Sequence, residues 1–458
     1  MGAARERLTG RLGFILLSAA CAIGIGNVWR FPYVAGSSGG GWFVIFYLVC
    51  LFALGLPVLL MEFATGRAAG CSIVAIHSRL TPNKPLWRVH GIAGALSLSI
   101  LMTFYTVVAA WMAIYFWKFA VGDSMATTAQ EAADVFRRML ENPWPQAFVT
   151  AGVCAVALAI CAVGLRNGLE RCTKWMMLSL LVLIVALAAR TLSLDGALDG
   201  LKFYLVPDTS RLLEVGLAKV LANALQQAFF TLSLGIGSMA IFGSYIGRER
   251  KLLGEGFNVV ALDTFVAFFA GLVVLPASSA FGVDYAAGPE LVFVVLPNVF
   301  CRMAGGRFWG AIFFLFLGFA AFSTVLAVFE GIVASVCDYM RWGRIKACVA
   351  LALAMPVFSL PCVFGFNLWR NFHPLGGEST ILDFEDFLVS DLALPLGSLA
   401  FVVYCTSRCG WGGKGFLDEA NAGCGRDFPR VLRWYCAYCL PVMILAVSVI
   451  GLWRRFCH

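Results

Sequence analysis

Apolar stretches long enough to cross a bilayer recur eleven times along this chain. A spanning helix needs about 20 mostly apolar residues. Runs of that kind lie at 12–35, 41–66, 89–120, 147–165, 174–193, 217–246, 256–282, 308–338, 346–364, 380–404 and 432–453. The polar connections between them are shorter than the 50 or so residues a soluble domain needs. The first run does not read as a cleaved leader: it is too long, lacks a small-residue cleavage site, and carries Arg30 and Pro32 near its end. The pattern predicts an all-α polytopic membrane protein with a single domain over 1–458.

Charge then orients the bundle. Arg5, Arg7 and Arg11 precede the first run, and Arg67, Arg79, Lys84 and Arg88 follow the second. Lys and Arg gather again after the fourth, sixth, eighth and tenth runs, while the intervening loops carry fewer. This bias predicts a cytoplasmic N-terminus and, with eleven spans, a C-terminus outside a cell or plasma membrane.

Composition narrows the class. The chain is 60% hydrophobic and 13% charged, against about half and about a quarter in soluble proteins. Secreted disulfide scaffolds, disordered chains and ordinary cytosolic enzymes are excluded. The net charge of +8 is accounted for by topology, so no nucleic-acid partner is expected. Of 16 cysteines, Cys50, Cys154, Cys161 and Cys362 sit in apolar runs as small hydrophobes, and Cys405, Cys409 and Cys424 are read as loop residues. No paired C-x-x-C motif points to a metal or redox centre. The four histidines, His77, His90, His373 and His458, complete no set of nucleophile, base and orienter, so no enzyme is expected. No N-x-Ser/Thr acceptor occurs, which favours a prokaryotic type of protein.

Two of the runs are interrupted. Gly24-Ile-Gly26 lies at mid-span in the first and Gly235-Ile-Gly237 in the sixth, each beside hydroxyl or amide side chains. Glycine pairs in a helix interior invite unwinding. Unwound backbone at membrane depth is tolerated where it lines a cavity or is buried in protein. Its free carbonyls can coordinate a cation and its free N–H groups an anion. The plainer account, close helix packing on glycine, fits one such motif better than two spaced five helices apart. That spacing predicts inverted repeats at 12–193 and 217–404, followed by an eleventh helix at 432–453.

Gly24-Ile-Gly-Asn-Val-Trp-Arg-Phe-Pro32, Gly39-Gly-Gly41, Pro57-x-x-x-x-Glu62-x-x-x-Gly-Arg67, Phe229-Phe-Thr-Leu-Ser-Leu-Gly235 and Ala270-Gly271 resemble motifs of the neurotransmitter:sodium symporter family, in order along nearly the whole chain. The resemblance implies two sodium sites built from oxygen ligands, as a hard cation requires. The first would use the Ala22 carbonyl, Asn27, Thr231 and Asp263, completed by a substrate carboxylate. The second would use the carbonyls of Ala20, Ile23 and Ala320 with the hydroxyls of Ser323 and Thr324. Asp263 also stands out on its own, because an ionisable group inside a spanning helix is costly. Chloride-dependent relatives usually carry Asn there and a serine one turn later; that later position here is Ala267. The expectation is chloride-independent transport, with Asp263 supplying the negative charge and a proton moving outward on the return step.

Amine-transporting relatives carry an aspartate in helix 1 where this chain has Gly24, so the resemblance implies an α-amino acid substrate. Its carboxylate would meet the Gly26 region and Tyr105. Its ammonium would meet the carbonyls of Cys21, Ala22, Phe230 and Thr231 and the Ser233 hydroxyl. Leu101, Tyr105, Phe230, Ile236, Val325 and Val328 would line a pocket for a neutral, apolar side chain. Arg30 and Asp386 would form an outer gate with Phe230 as lid, and Arg5, Asp338 and Tyr245 an inner one. Glu62 would brace the unwound backbone of helix 6. The expected function is a sodium-coupled amino-acid symporter working by alternating access. A sodium-independent receptor or exchanger of the same fold, and a channel, are the rivals.

Overall fold

The computed structural model describes residues 8, 10–122, 128–282 and 291–457. Among these residues every regular element is helical, apart from one isolated bridge between Arg250 and Cys424. Nine continuous helices are long and apolar enough to span a membrane: Gly41–Ala69, Pro85–Val121, Pro143–Val163, Leu165–Leu192, Leu252–Ala280, Gly306–Met340, Arg344–Phe364, Ile381–Thr406 and Leu432–Leu452. They are helices 2 to 5 and 7 to 11. Their ends lie within a few residues of the apolar runs, except at the start of helix 5.

The other two spans are broken. Helix 1 consists of Arg11–Ala22 and Gly26–Ser37, inclined at 59° to each other. Helix 6 consists of Leu217–Thr231 and Ser238–Gly243. Between its halves the chain turns left-handed at Ser233, Gly235 and Gly237, with φ of 49°, 95° and 77°. Each half alone is too short to cross a bilayer.

Packing places the breaks at the centre. Helix 8 is the most enclosed span, with 72% of its apolar window buried, whereas helix 11 buries 28% of its own. Helix 8 packs along helix 3 and against helices 1 and 5, and helix 2 runs beside both halves of helix 6. A Cβ on Gly235 would stand 2.1 Å from the Leu394 carbonyl oxygen. Only glycine lets the unwound segment lie directly on helix 10, and its positive φ suits glycine as well.

Short helices not anticipated from the apolar pattern occupy the connections, including Ile73–Leu80, Ala129–Glu141, Ala197–Leu205 and Gly413–Ala420. They are too short or too polar to register as spans. One reading is corrected: Cys405 is a buried residue of helix 10, not a loop residue. Helix 10 continues past the apolar run to Thr406, because Cys405 packs like any small apolar side chain. At the same end, Lys84 Nζ donates to the carbonyls of Arg408 and Gly410 at 2.7 and 2.8 Å, and Trp87 Nε1 to that of Cys409 at 2.7 Å. Arg67 of helix 2 pairs with Glu419 at 2.7 Å, and Glu419 also binds Arg248 at 2.7 Å.

Candidate functional site

The break in helix 1 leaves carbonyl oxygens without regular helical partners, because Gly24 N turns to Asn27 Oδ1 at 3.4 Å and Asn27 N to the Gly24 carbonyl at 3.1 Å. Thr324 Oγ1, reaching across from helix 8, lies 3.0 Å from the Ala20 oxygen, 3.1 Å from Ile23 and 3.2 Å from Ala320. Ser323 Oγ lies 3.0 Å from the same Ala320 carbonyl. Two hydroxyls carry two protons, fewer than the lone pairs that these three carbonyls and the two hydroxyl oxygens present. A surplus of oxygen lone pairs in a buried position is the donor chemistry a hard monovalent cation needs. All five groups read from the sequence as the second sodium site are gathered here.

The first site centres on Asp263, which is fully buried. Asn27 Nδ2 donates to its Oδ1 at 2.7 Å, Thr231 Oγ1 stands 3.1 Å from its Oδ2, and the Tyr47 hydroxyl stands 3.5 Å away. Among the described residues no Lys or Arg pairs with this carboxylate. Three neutral donors leave its charge uncompensated, and a buried charge without a counter-ion is costly. A cation or a proton resolves that cost. Ala22 ends the first half of helix 1; no bond between its carbonyl and this cluster is part of the described geometry.

The residues assigned to substrate surround the same breaks. Tyr105 Oη accepts from Ile25 N at 2.9 Å. A Cβ on Gly24 would lie 2.2 Å from that hydroxyl and 2.8 Å from Thr324 Oγ1, and one on Gly26 would lie 2.5 Å from the Phe230 ring. No side chain fits at position 24 in this arrangement, an aspartate least of all. Leu101 and Tyr105 stand one turn apart on helix 3, Val325 and Val328 one turn apart on helix 8, and Ile236 in the break of helix 6; all five are buried. Cys21 is buried beside them on helix 1, and the Ser233 carbonyl accepts from Ser238 Oγ at 2.6 Å.

Glu62 of helix 2 holds the unwound backbone from one side. It is fully buried, with Oε1 accepting from Gly235 N and Oε2 from Met239 N at 3.2 Å.

The gate residues are only partly drawn together. The Arg30 guanidinium lies over the Phe230 ring at 4.3 Å. Arg30 and Asp386 line one cavity of about 260 Å³ with Asn223, Gln226 and Asp391, but no ion pair joins them. Asp386 instead accepts from Ser390 Oγ at 2.6 Å. At the other end Asp338 accepts from Ser72 N at 2.7 Å. Arg5 lies outside the described residues.

Three participants were missed from the sequence. Tyr47 reaches Asp263, and Gln227 Nε2 donates to the Gly26 carbonyl at 3.1 Å. Glu330 of helix 8, fully buried, accepts from the Tyr245 hydroxyl at 2.5 Å and takes a two-pronged ion pair from Arg344. Glu330 carried the same signal as Asp263, an acid inside an apolar run. Tyr47 and Gln227 carried none, since tyrosine and glutamine occur widely in such helices.

Comparison with known proteins bears on this geometry. A sequence model of the "Sodium:neurotransmitter symporter family" matches residues 5–129 and 139–454. The chain is 30% identical over 446 residues to the sodium-dependent transporter YhdH of Bacillus subtilis, covering 96% of this chain and 97% of that protein. It is 27% identical to the sodium-dependent serotonin transporter of Drosophila melanogaster, over 84% of this chain and 68% of the other. The crystal structure of MhsT in complex with L-phenylalanine superposes with a TM-score of 0.88 at 34% identity, covering 98% of this chain and all of that one.

Proposed function

The chain belongs to the sodium:neurotransmitter symporter family of multi-pass membrane transporters, and from that premise we propose that it carries a neutral, apolar α-amino acid together with sodium by alternating access. The observation that carries the reading is the position of Thr324, whose hydroxyl faces three carbonyls drawn from helices 1 and 8. A cation bound there ties the broken helix to the scaffold. That contact exists only while the two helices are together, so sodium favours one conformation through its differential affinity.

The substrate class follows from shape and polarity. Gly24 leaves no room for an acidic partner to an amine, so a carboxylate brought by the substrate itself would complete the first sodium shell. The surrounding Leu101, Ile236, Val325 and Val328 offer no polar partner, so a polar side chain would lose its hydration without replacement. MhsT, the structural neighbour, was crystallised with L-phenylalanine, which supports a pocket of this class.

In this reading the Asp263 carboxylate supplies the negative charge beside the first sodium and takes a proton when sodium leaves. Ala267, one turn further on, offers no hydroxyl to an anion. Uptake is therefore independent of chloride and moves a proton outward. We assign residues 12–193 and 217–404 to the two inverted repeats, the end bearing Arg11 and Asp338 to the cytoplasm, and two sodium ions to the transport step.

The test is thermal stabilisation of the purified protein by each of the twenty amino acids, in sodium and in potassium gluconate. One or a few apolar amino acids should raise the melting temperature in sodium only. Stabilisation indifferent to sodium overturns the coupling, and a requirement for chloride overturns the role of Asp263.

A further inference from the structure

Away from the sodium and substrate sites, the densest group of titratable rings lies where the short helix Ile73–Leu80 meets the start of helix 3. His77 is fully buried, and its Nε2 stands 3.1 Å from His90 Nδ1. Trp87 stacks along His77, Tyr404 meets it edge-on at 4.6 Å, and Phe401 meets His90 edge-on at 4.7 Å. The other titratable groups are Tyr404, whose hydroxyl is 3.1 Å from Thr81 Oγ1, with Cys71 and Cys405 beside it. Lys84 is held by the carbonyls of Arg408 and Gly410. Among the described residues no carboxylate bonds to either imidazole. Glu62 holds the opposite side of Gly235.

Counting protons shows what the pair can bind. Two neutral imidazoles carry two N–H protons on four ring nitrogens. One proton lies between Nε2 and Nδ1, and the other occupies an outer nitrogen. The second outer nitrogen keeps its lone pair. His77 Nδ1 is buried without a hydrogen-bond partner, and His90 Nε2, also buried, has only the backbones of Gly235 and Gly397 near it. An acceptor for one further proton is thus present and shut off from water. Burial among these rings, and then the neighbouring His90, push the His77 imidazole down to about 3.

The pair also borders the unwound backbone. The His90 ring lies against the backbones of Gly235 and Gly397. One turn further along helix 3, a Cβ on Gly94 would stand 3.1 Å from the Ile236 carbonyl oxygen. Movement of that segment away from helices 3 and 10 removes the cover on the His90 side of the pair.

We propose that His77 and His90 form a proton-binding site distinct from Asp263, closed while the unwound segment of helix 6 packs on helices 3 and 10, and protonated from water when that packing opens at the Asp338 end. The proton comes from the solvent on that side and returns to it on closure. A group that binds protons more weakly in the packed state favours that state at higher pH and the open state at lower pH. A hydrated imidazole titrates near 6.5. Acidification below about 6.5 on that side therefore favours opening, by up to about tenfold per pH unit.

The inference rests on the alternating-access reading, and the experiment separates the two. In the variant His373→Gln/His458→Gln only the pair remains, so nuclear magnetic resonance of isotopically labelled histidine follows it without overlap. Titration between pH 5 and 8 is run in sodium and in potassium, with hydrogen exchange of segments 11–37 and 229–243 followed in parallel. One imidazole should titrate near 6 to 6.5 in potassium, and neither above pH 5 in sodium. If exchange differs between the two salts while the histidines titrate alike, the proton site is overturned. If exchange is also identical, the alternating-access reading falls and the proposal with it.

Discussion

The hydroxyl of Thr324 lies 3.0 Å from the carbonyl oxygen of Ala20, a residue 304 positions earlier in the chain. That contact brings the scaffold helix 8 to the point where helix 1 loses its helical bonding. A hydroxyl this close to three carbonyls can donate its proton to one of them or turn its oxygen toward an ion.

Replacing it should separate these roles. Thr324→Val keeps the shape and removes the oxygen. A lost oxygen contact to a charged partner is worth about 1.5–3 kcal/mol, so half-saturating sodium should rise about 10- to 100-fold, read from sodium-dependent thermal shifts. An unchanged sodium dependence would remove Thr324 from the site.

Glu62 invites a paired substitution. Glu62→Ala leaves two buried N–H groups, those of Gly235 and Met239, without acceptors. Each costs about 1–3 kcal/mol, so the melting temperature should fall by several degrees or more. Glu62→Gln keeps one acceptor and should fall between the two. A Gln variant as unstable as Ala would show that charge matters more than bond geometry.

At Gly24 a single methyl group is decisive. Its carbon would lie 2.2 Å from a Tyr105 hydroxyl already fixed by Ile25 N. Gly24→Ala should leave the helical circular dichroism intact and abolish stabilisation by the preferred amino acid. Retained amino-acid stabilisation would move the substrate elsewhere.

The Glu330 and Arg344 pair holds the Tyr245 hydroxyl, beside a cavity that Asp338 also lines. Removing one partner of a buried pair costs about 3–5 kcal/mol. Glu330→Ala should therefore destabilise the protein strongly, while Tyr245→Phe, which removes one donor from a carboxylate still paired with Arg344, should cost about 1.5–3 kcal/mol. Parallel denaturation of the two variants measures the difference.

Much of the architecture is legible in the sequence, for a physical reason. Lipid supplies no hydrogen bonds, so spans must be helical, apolar and about as long as the bilayer is thick. The ends of helix 2 and helix 9 follow directly from that. The broken helices were legible because glycine pairs, followed in helix 1 by Asn27, are anomalous against an apolar background. What stayed hidden depends on side-chain direction across helices. Nothing in the sequence aims Tyr47 at Asp263, or turns Tyr245 toward Glu330. The gap between Arg30 and Asp386 belongs to the conformation adopted, which no single sequence position encodes.

The grip of Lys84 and Trp87 on the three carbonyls of residues 408–410 has a mechanical reading. It ties the segment just past Thr406, the end of helix 10, to the start of helix 3, so that helix 10 has one fixed end. The π-helical turn Phe387–Ala393, near the far end, is then a spacer that sets the azimuth of Asp386. Deleting one residue from that turn would rotate Asp386 by about 100°, away from Arg30, with the clamped end still in register.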